Sequence, residues 1–231
     1  MNCPEIVKNT RLTVILGAYG SGKSEISVNV ATALRSAFPQ PQKILLADLD
    51  IVNPFYRSAD ARELLESSGI RVVAPDYAKS NVDAPVLPGE VYVIFDDEEY
   101  KGVFDIGGED MGAVVLGSLR RRLENTDHRI LMAVNTLRPF TSDAPQIAEM
   151  TAELCAASGF PIDGYINNTN LLGETTPEII AEGEKIILEA SELTGIPLLV
   201  TSYMDGIEGI DGAGFAAPEV FVMDRRIHYD Y

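Results

Sequence analysis

Apolar residues along this chain fall into two alternating patterns. Short solid runs are separated by longer stretches in which apolar positions recur every three or four residues. Arg11-Leu-Thr-Val-Ile-Leu16 is the first short run and predicts a buried strand. Ile26, Val30, Ala33, Leu34 and Ala37 then recur at helical spacing, and Pro39 and Pro41 end that helix. Lys43-Ile-Leu-Leu-Ala-Asp48 predicts a second strand, residues 58–67 a helix closed by Gly69, and Ile70-Arg-Val-Val-Ala74 a third strand. Residues 75–90 hold Pro75, Pro85, Pro88 and Gly89 and read as an irregular loop. Val91-Tyr-Val-Ile-Phe95 and Tyr100-Lys-Gly-Val-Phe104, parted by the acidic turn Asp96-Asp-Glu-Glu99, read as a hairpin whose second arm enters the core sheet. Residues 75–100 are thus predicted to be a loop-and-hairpin insertion. Helices follow at 112–124, 143–157 and 177–193, interleaved with strands at 129–134, 162–167 and 196–202. From Asp205 the pattern loosens, with four glycines and one proline before Val220-Phe-Val-Met223.

Strands alternating with helices of ten or more residues build βαβ units. The expected fold class is therefore α/β, with three layers: a mostly parallel central sheet and helices on both faces. No repeat or linker divides the chain, so residues 1–231 are expected to form one domain. In such sheets ligands collect at the carboxyl ends of the strands, which is where the chemistry-bearing motifs of this chain fall.

The first of these is Gly17-Ala18-Tyr19-Gly20-Ser21-Gly22-Lys23-Ser24, which fits G-x-x-x-x-G-K-[ST] between a strand and a helix. A triphosphate is a dense cluster of negative charge. Backbone N–H groups can converge on it only if the chain curls tightly, and Gly17, Gly20 and Gly22 permit that. Lys23 is placed to reach the terminal phosphates and Ser24 to offer its hydroxyl to Mg²⁺. Tyr19 either covers a nucleotide or shields the loop. The helix that follows turns its positive end toward the phosphates.

The second strand ends in Asp48-Leu-Asp50, and alternate residues of a strand face the same way, so both carboxylates can hold Mg²⁺ waters and orient an attacking water. Asp105-Ile-Gly-Gly108 is an acid with a glycine three residues on, suited to a Mg²⁺-linked switch in which the Gly108 N–H meets the γ-phosphate. Asp96 also follows an apolar run, but it enters an acidic turn rather than glycines and a helix. Asn167-Asn168-Thr-Asn170 follows a strand and offers amides that suit the edge of a purine. His128 and His228 are isolated from any serine or cysteine pattern.

Charge narrows the partners. The formal net charge is −17, which repels nucleic-acid phosphates and anionic membranes, and Arg120-Arg121-Arg122 reads as a solvated helix face. Cys3 and Cys155 have neither pairing pattern nor C-x-x-C spacing, which argues against a disulfide scaffold or closed zinc site. No apolar run approaches a membrane span and no signal-peptide core opens the sequence, so a cytoplasmic setting is expected. Arg225-Arg226-Ile-His-Tyr-Asp-Tyr231 reads as an exposed tail.

Taken in order, Gly17–Ser24, Asp48-Leu-Asp50 with Pro54, Asp105-Ile-Gly-Gly108 and Asn168 resemble the SIMIBI class of P-loop NTPases. Within it they look like the MinD/ParA/Mrp branch, which includes the nitrogenase iron protein and the nickel-insertion ATPase of carbon monoxide dehydrogenase. The likeness spans roughly residues 11–203. It implies ATP and Mg²⁺ as ligands, Asp50 as the water-activating acid of switch I, Asp105 as the Mg²⁺-linked acid of switch II and Asn168 as an adenine reader. Members of the branch commonly form face-to-face dimers on ATP and use hydrolysis to drive a client protein or metal delivery. The branch usually has a second lysine directly after the first loop glycine, and here that position is Ala18, so the residue that reaches across such a homodimer is missing. The cluster-holding C-x-x-C of some relatives is missing too. The acidity speaks against a ParA-like role on DNA, and no basic amphipathic C-terminal helix supports MinD-like membrane binding.

The leading expectation is a Mg²⁺-dependent ATPase that acts as a nucleotide switch on a client protein, with metalloenzyme maturation as one setting. A small-molecule kinase or ATP-dependent ligase built on the same loop is the first alternative, with the 75–100 insertion as its lid. A nucleotide-binding module with negligible turnover is the second.

Overall fold

In a computed structural model, which describes residues 2–49, 62–74, 87–107 and 110–227, the chain builds one eight-stranded sheet. The strands are β1 (Leu12–Leu16), β2 (Lys43–Asp48), β3 (Ile70–Val73), β4 (Tyr100–Asp105), β5 (His128–Val134), β6 (Gly164–Asn167), β7 (Leu198–Met204) and β8 (Glu219–Met223). Their order across the sheet is β3-β2-β4-β1-β5-β6-β7-β8, and every pairing is parallel. The expectation of a mostly parallel sheet is met by a wholly parallel one. The helices are α1 (Glu5–Lys8), α2 (Lys23–Ala37), α3 (Arg62–Ser67), α4 (Val93–Asp96), α5 (Asp110–Ser118), α6 (Arg120–Leu123), α7 (Ala144–Ser158) and α8 (Pro177–Thr194).

Alternation along β1 shows how the layers form. Leu12, Val14 and Leu16 face a core shared with residues of α5, α6, α7 and α8, whereas Ile15 faces a second core shared with α1, α2 and α3. The inner strands β1, β2, β4, β5 and β6 therefore bury both faces over most of their length, which is why these segments read as near-continuous apolar runs. Tyr165 of β6 is fully buried in the first core, and its hydroxyl bonds Thr151 of α7 at 2.9 Å and Thr194 of α8 at 3.0 Å.

The hairpin expected at 91–104 is not formed. Tyr100–Asp105 is a strand as predicted, but Gly89–Tyr92 is a 3-10 turn that runs into helix α4. Val91 and Ile94 are three residues apart, a spacing that serves a helix turn as well as a strand, and both are fully buried. Two contacts decide for the helix. Arg11 Nη2 donates to the carbonyls of Ile94 (2.6 Å) and Asp97 (3.0 Å), satisfying the helix end. Gly102 of β4 leaves room for the Ile94 side chain, since a Cβ there would sit 3.0 Å from Ile94 Cδ1.

The C-terminal region also differs from expectation. Residues 219–223 form β8 along β7, and the segment after it is not a free tail through Ile227. Ile227 is fully buried in the second core, and the backbone at 224–227 is bonded to α2. His228 and the residues beyond it lie outside the described residues, as do 50–61 and 75–86. No described helix is long and apolar enough to cross a membrane.

Candidate nucleotide site

The loop between β1 and α2 has the backbone its spelling requires. Gly17 (φ 146°), Gly20 (φ 75°) and Gly22 (φ 86°) all lie where side-chain-bearing residues are rarely found. Two of them also leave no space for a side chain. A Cβ on Gly17 would stand 2.4 Å from the Ala133 carbonyl oxygen, and one on Gly22 would stand 2.2 Å from Asn168 Nδ2. The loop is thus pressed against the ends of β5 and β6.

Helix α2 starts at Lys23 with Gly22 as its N-cap, and no side chain caps it. In α7 and α8, by contrast, Asp143 and Thr176 accept the first-turn N–H groups of Gln146 and Ile179. The uncapped N-terminus of α2 presents N–H groups and positive partial charge to whatever lies before it. Lys23 is 7% exposed, and its ammonium donates to the Ala18 carbonyl at 3.1 Å, folding back over the loop. Ser21 Oγ is buried with no hydrogen-bond partner. A cup of close-packed glycine backbone, an open helix N-terminus, a buried ammonium and an orphaned hydroxyl fit a bound phosphate chain.

The acids stand beside it. Asp105 closes β4 and Asp48 closes β2, and the two are direct register partners on adjacent strands, both fully buried. Register partners in a parallel pair point to the same face, so the two carboxylates lie together one strand and two strands from β1. With Ser24 they are the described residues that could hold Mg²⁺, where the metal would neutralise phosphate charge. Asp96 instead ends α4 and pairs on the surface with Arg122 Nη1 at 2.9 Å. Asp50, Pro54 and Gly108, expected in the two switch segments, lie outside the described residues.

Asn168 is 3% exposed and ties three elements together. Its Nδ2 donates to the Ser21 carbonyl at 2.7 Å, its Oδ1 accepts from Ser202 Oγ at 3.0 Å, and its own N–H donates to the Val134 carbonyl at 2.8 Å. One amide hydrogen is left for a ligand.

A cavity of about 420 Å³ opens from this cup toward the ends of β6, β7 and β8. Tyr19, Gly20, Gly22, Lys23, Ser24 and Asn168 line the loop end, and Asn170, Leu172, Tyr203, Met204 and Ile207 line the rest. Its volume is that of a small-molecule site, polar at the loop end and mostly apolar at the far end. Arg138, after β5, and Arg225, after β8, also border it. Sequence reading missed both, although each follows an apolar run at the sheet's carboxyl edge, the signal used for Asp48 and Asp105. Glu25 is the one acid among the described lining residues. Its buried carboxylate is turned away to the N–H groups of Arg226 (2.6 Å) and Ile227 (3.2 Å) and to Asn29 Nδ2 (3.1 Å). Burial raises its pKa, and those three donors pull the other way.

The other residues flagged in the sequence lie apart from the cavity. His128 bonds the Thr126 carbonyl through Nδ1 at 2.8 Å and meets the Phe160 ring edge-on. Arg120 pairs with Glu124 on the surface. Cys3 is buried, which pushes its thiol up to about 11, and Cys155 packs at the margin of the core.

No protein-family model and no curated sequence matches the chain. Solved structures do. The signal recognition particle receptor FtsY from Elizabethkingia anophelis superposes with a TM-score of 0.50 at 15% identity, over 89% of this chain and 62% of that one. FlhF complexed with GTP/Mg(2+) gives a TM-score of 0.48 at 14% identity, over 82% and 64% of the two chains. A ParA family ATPase from Chlorobium tepidum TLS gives 0.47 at 18% identity, over 85% and 86%. The chain spans less than two thirds of the receptor's length, and at these identities the likeness concerns the fold. By its wholly parallel sheet, its glycine loop and its likeness to the receptor, the chain has the α/β fold of P-loop NTPases.

Proposed function

We propose that this protein is a Mg²⁺-dependent ATPase whose nucleotide state switches its hold on a client protein. One observation supports the reading above the others. In a chain of net charge −17, the described residues that border the cavity beside the glycine loop include three cations, Lys23, Arg138 and Arg225, and one acid, Glu25, whose carboxylate is turned away. Cations gathered at one cavity of an acidic protein create a local field that favours a polyanionic ligand.

In this reading the loop N–H groups and Lys23 hold the phosphates, and Ser24, Asp48 and Asp105 hold the metal. Asp50, in the segment after β2, orients the attacking water. The base lies toward Tyr203 and Met204, with the remaining Asn168 amide hydrogen directed to it. ATP is preferred over GTP because Asn168 is followed by Thr169, Asn170 and Leu171, not by the guanine-reading N-K-x-D. Asp105-Ile-Gly-Gly108 is the segment that would relax as the γ-phosphate leaves and so change the surface a client meets. The client, metalloenzyme maturation and any homodimer belong to the same proposal.

The test is ATP and GTP binding and phosphate release, with and without Mg²⁺, by wild type and Lys23→Ala. Wild type is expected to bind ATP in a Mg²⁺-dependent way. Lys23→Ala is expected to lose about 10²-fold or more in turnover, the usual effect of deleting a charge that stabilises the transition state. Equal binding and turnover in the two proteins would overturn the assignment.

A further inference from the structure

The turn that follows β5 is built more firmly than an exposed connection needs to be. Asn135 is fully buried, and its Oδ1 accepts the N–H groups of Leu137 (3.0 Å) and Asn170 (3.4 Å). Its carbonyl accepts from the Arg138 N–H (3.1 Å) and from Thr141 Oγ1 (2.8 Å), a hydroxyl that is also fully buried. The same turn holds Phe140, a residue 69% exposed, at φ 67°. A bulky residue in the left-handed region is a strained arrangement that persists only where neighbouring bonds impose it.

What this frame positions is Arg138. Its side chain crosses to the glycine loop, where Nε–H donates to the Gly20 carbonyl at 3.2 Å. The stem lies flat on the loop, since a Cβ on Gly20 would be 3.2 Å from Nε and 3.3 Å from Cδ. Glycine at position 20 is thus what lets the arginine approach. From there Arg138 borders the same cavity as Lys23 and Ser24. The Gly20 bond uses one of the five guanidinium N–H donors and leaves four on a plane already fixed.

We propose that Arg138 is a polyphosphate-binding residue, a second cation delivered by the turn after β5 to the phosphates held in the loop. The proposal rests on the nucleotide reading above and adds a residue that the loop motif does not contain. A guanidinium pinned through Nε loses little further freedom when its other N–H groups meet phosphate oxygens, whereas an ammonium at this position could not bond the carbonyl and grip phosphate in the same planar fork.

The experiment compares AMP, ADP and ATP affinities at fixed Mg²⁺ and ionic strength for wild type, Arg138→Ala, Arg138→Lys and Lys23→Ala, with a thermal midpoint for each. Arg138→Ala is expected to weaken ATP by about tenfold to a hundredfold, the range for a lost charge-assisted bond. ADP should be weakened less and AMP by under about twofold, with the midpoint unchanged. Arg138→Lys should recover part of the ATP loss, because the charge remains and the fork does not. If Lys23→Ala loses ATP while Arg138→Ala binds it like wild type, the nucleotide reading stands and the role of Arg138 is refuted. An equal loss for AMP and ATP also refutes it. Wild type that binds none of the three overturns both.

Discussion

At the scale of single residues, the glycines of the loop do two different jobs, and the structure separates them. Gly17 is needed for both its φ of 146° and for space, because its absent Cβ would meet a backbone carbonyl that cannot swing aside. Gly17→Ala is therefore expected to cost about 2–3 kcal/mol. At roughly 2–4 °C per kcal/mol for a chain of this size, the midpoint should fall by several degrees, measurable by differential scanning calorimetry. Gly214 is the internal control, with open space around it, and Gly214→Ala should move the midpoint by no more than about 1–2 °C. If both alanines behave alike, the clash at Ala133 is not what governs position 17. Residue type and spacing in the sequence were enough to nominate Gly17 through Ser24, because a phosphate-gripping turn makes chemical demands that few spellings meet. Arg138 and Arg225 carried only a positional signal, for the opposite reason. A lone arginine after a strand has no required spelling, and only the packing of the turn on Gly20 and of the strap beside α2 brings them to the cavity.

Elements show a second pattern, in which buried glutamates on helices fasten the irregular C-terminal third. Glu184 of α8 accepts from Thr201 Oγ1 (2.7 Å) and from the N–H groups of Ala216 (2.7 Å) and Ala217 (3.0 Å). Glu25 does the same on α2 for Arg226 and Ile227, one residue after Ser24. The strap at 224–227 is thus bonded to the first turn of the helix whose N-terminus faces the cavity. Glu25→Ala should leave the buried Ile227 N–H and the part-buried Arg226 N–H unmet, at a cost of about 2–3 kcal/mol, and amide exchange at Ile227 should accelerate while exchange in β1 is little changed. Equal exchange at Ile227 in both proteins would sink the idea of a latch. The pH dependence has a definite sign. The native carboxyl of Glu25 has a raised pKa, so the folded protein takes up its proton at higher pH than the unfolded chain does. Its contribution to stability is therefore greatest below the ordinary glutamate value and is lost as pH rises through the raised native value. In urea titrations, wild type should lose stability relative to Glu25→Gln across that window. A difference that stays flat would contradict the shift. The sequence pattern could not reveal this latch, since a glutamate in a first helical turn usually faces solvent.

For the molecule as a whole, the charge of −17 is a property of all its surfaces at once. Self-repulsion on this scale is screened by salt, so the thermal midpoint should rise between about 0.05 M and 0.5 M NaCl, where the Debye length shrinks from roughly 14 Å to 4 Å. A midpoint that falls over that range would mean attractive surface pairs outweigh the net repulsion. The same field makes the cavity distinctive, because cations there act against a negative background.

The alternation of short apolar runs with helical stretches settled the α/β class, the inner strands and the place of the glycine loop, because burial on both faces of a parallel sheet leaves a pattern in one dimension. Local composition could not decide whether Val91–Phe95 was strand or helix, since a five-residue apolar run satisfies both periods. Gly102 and Arg11, distant in sequence, chose the helix. Nor could it foresee that the strap after β8 would fold back on Glu25, a bond between residues two hundred positions apart. The strand order, the cavity and the arginines around it are consequences of which edges meet. That depends on packing across the sheet, and no window of sequence contains it.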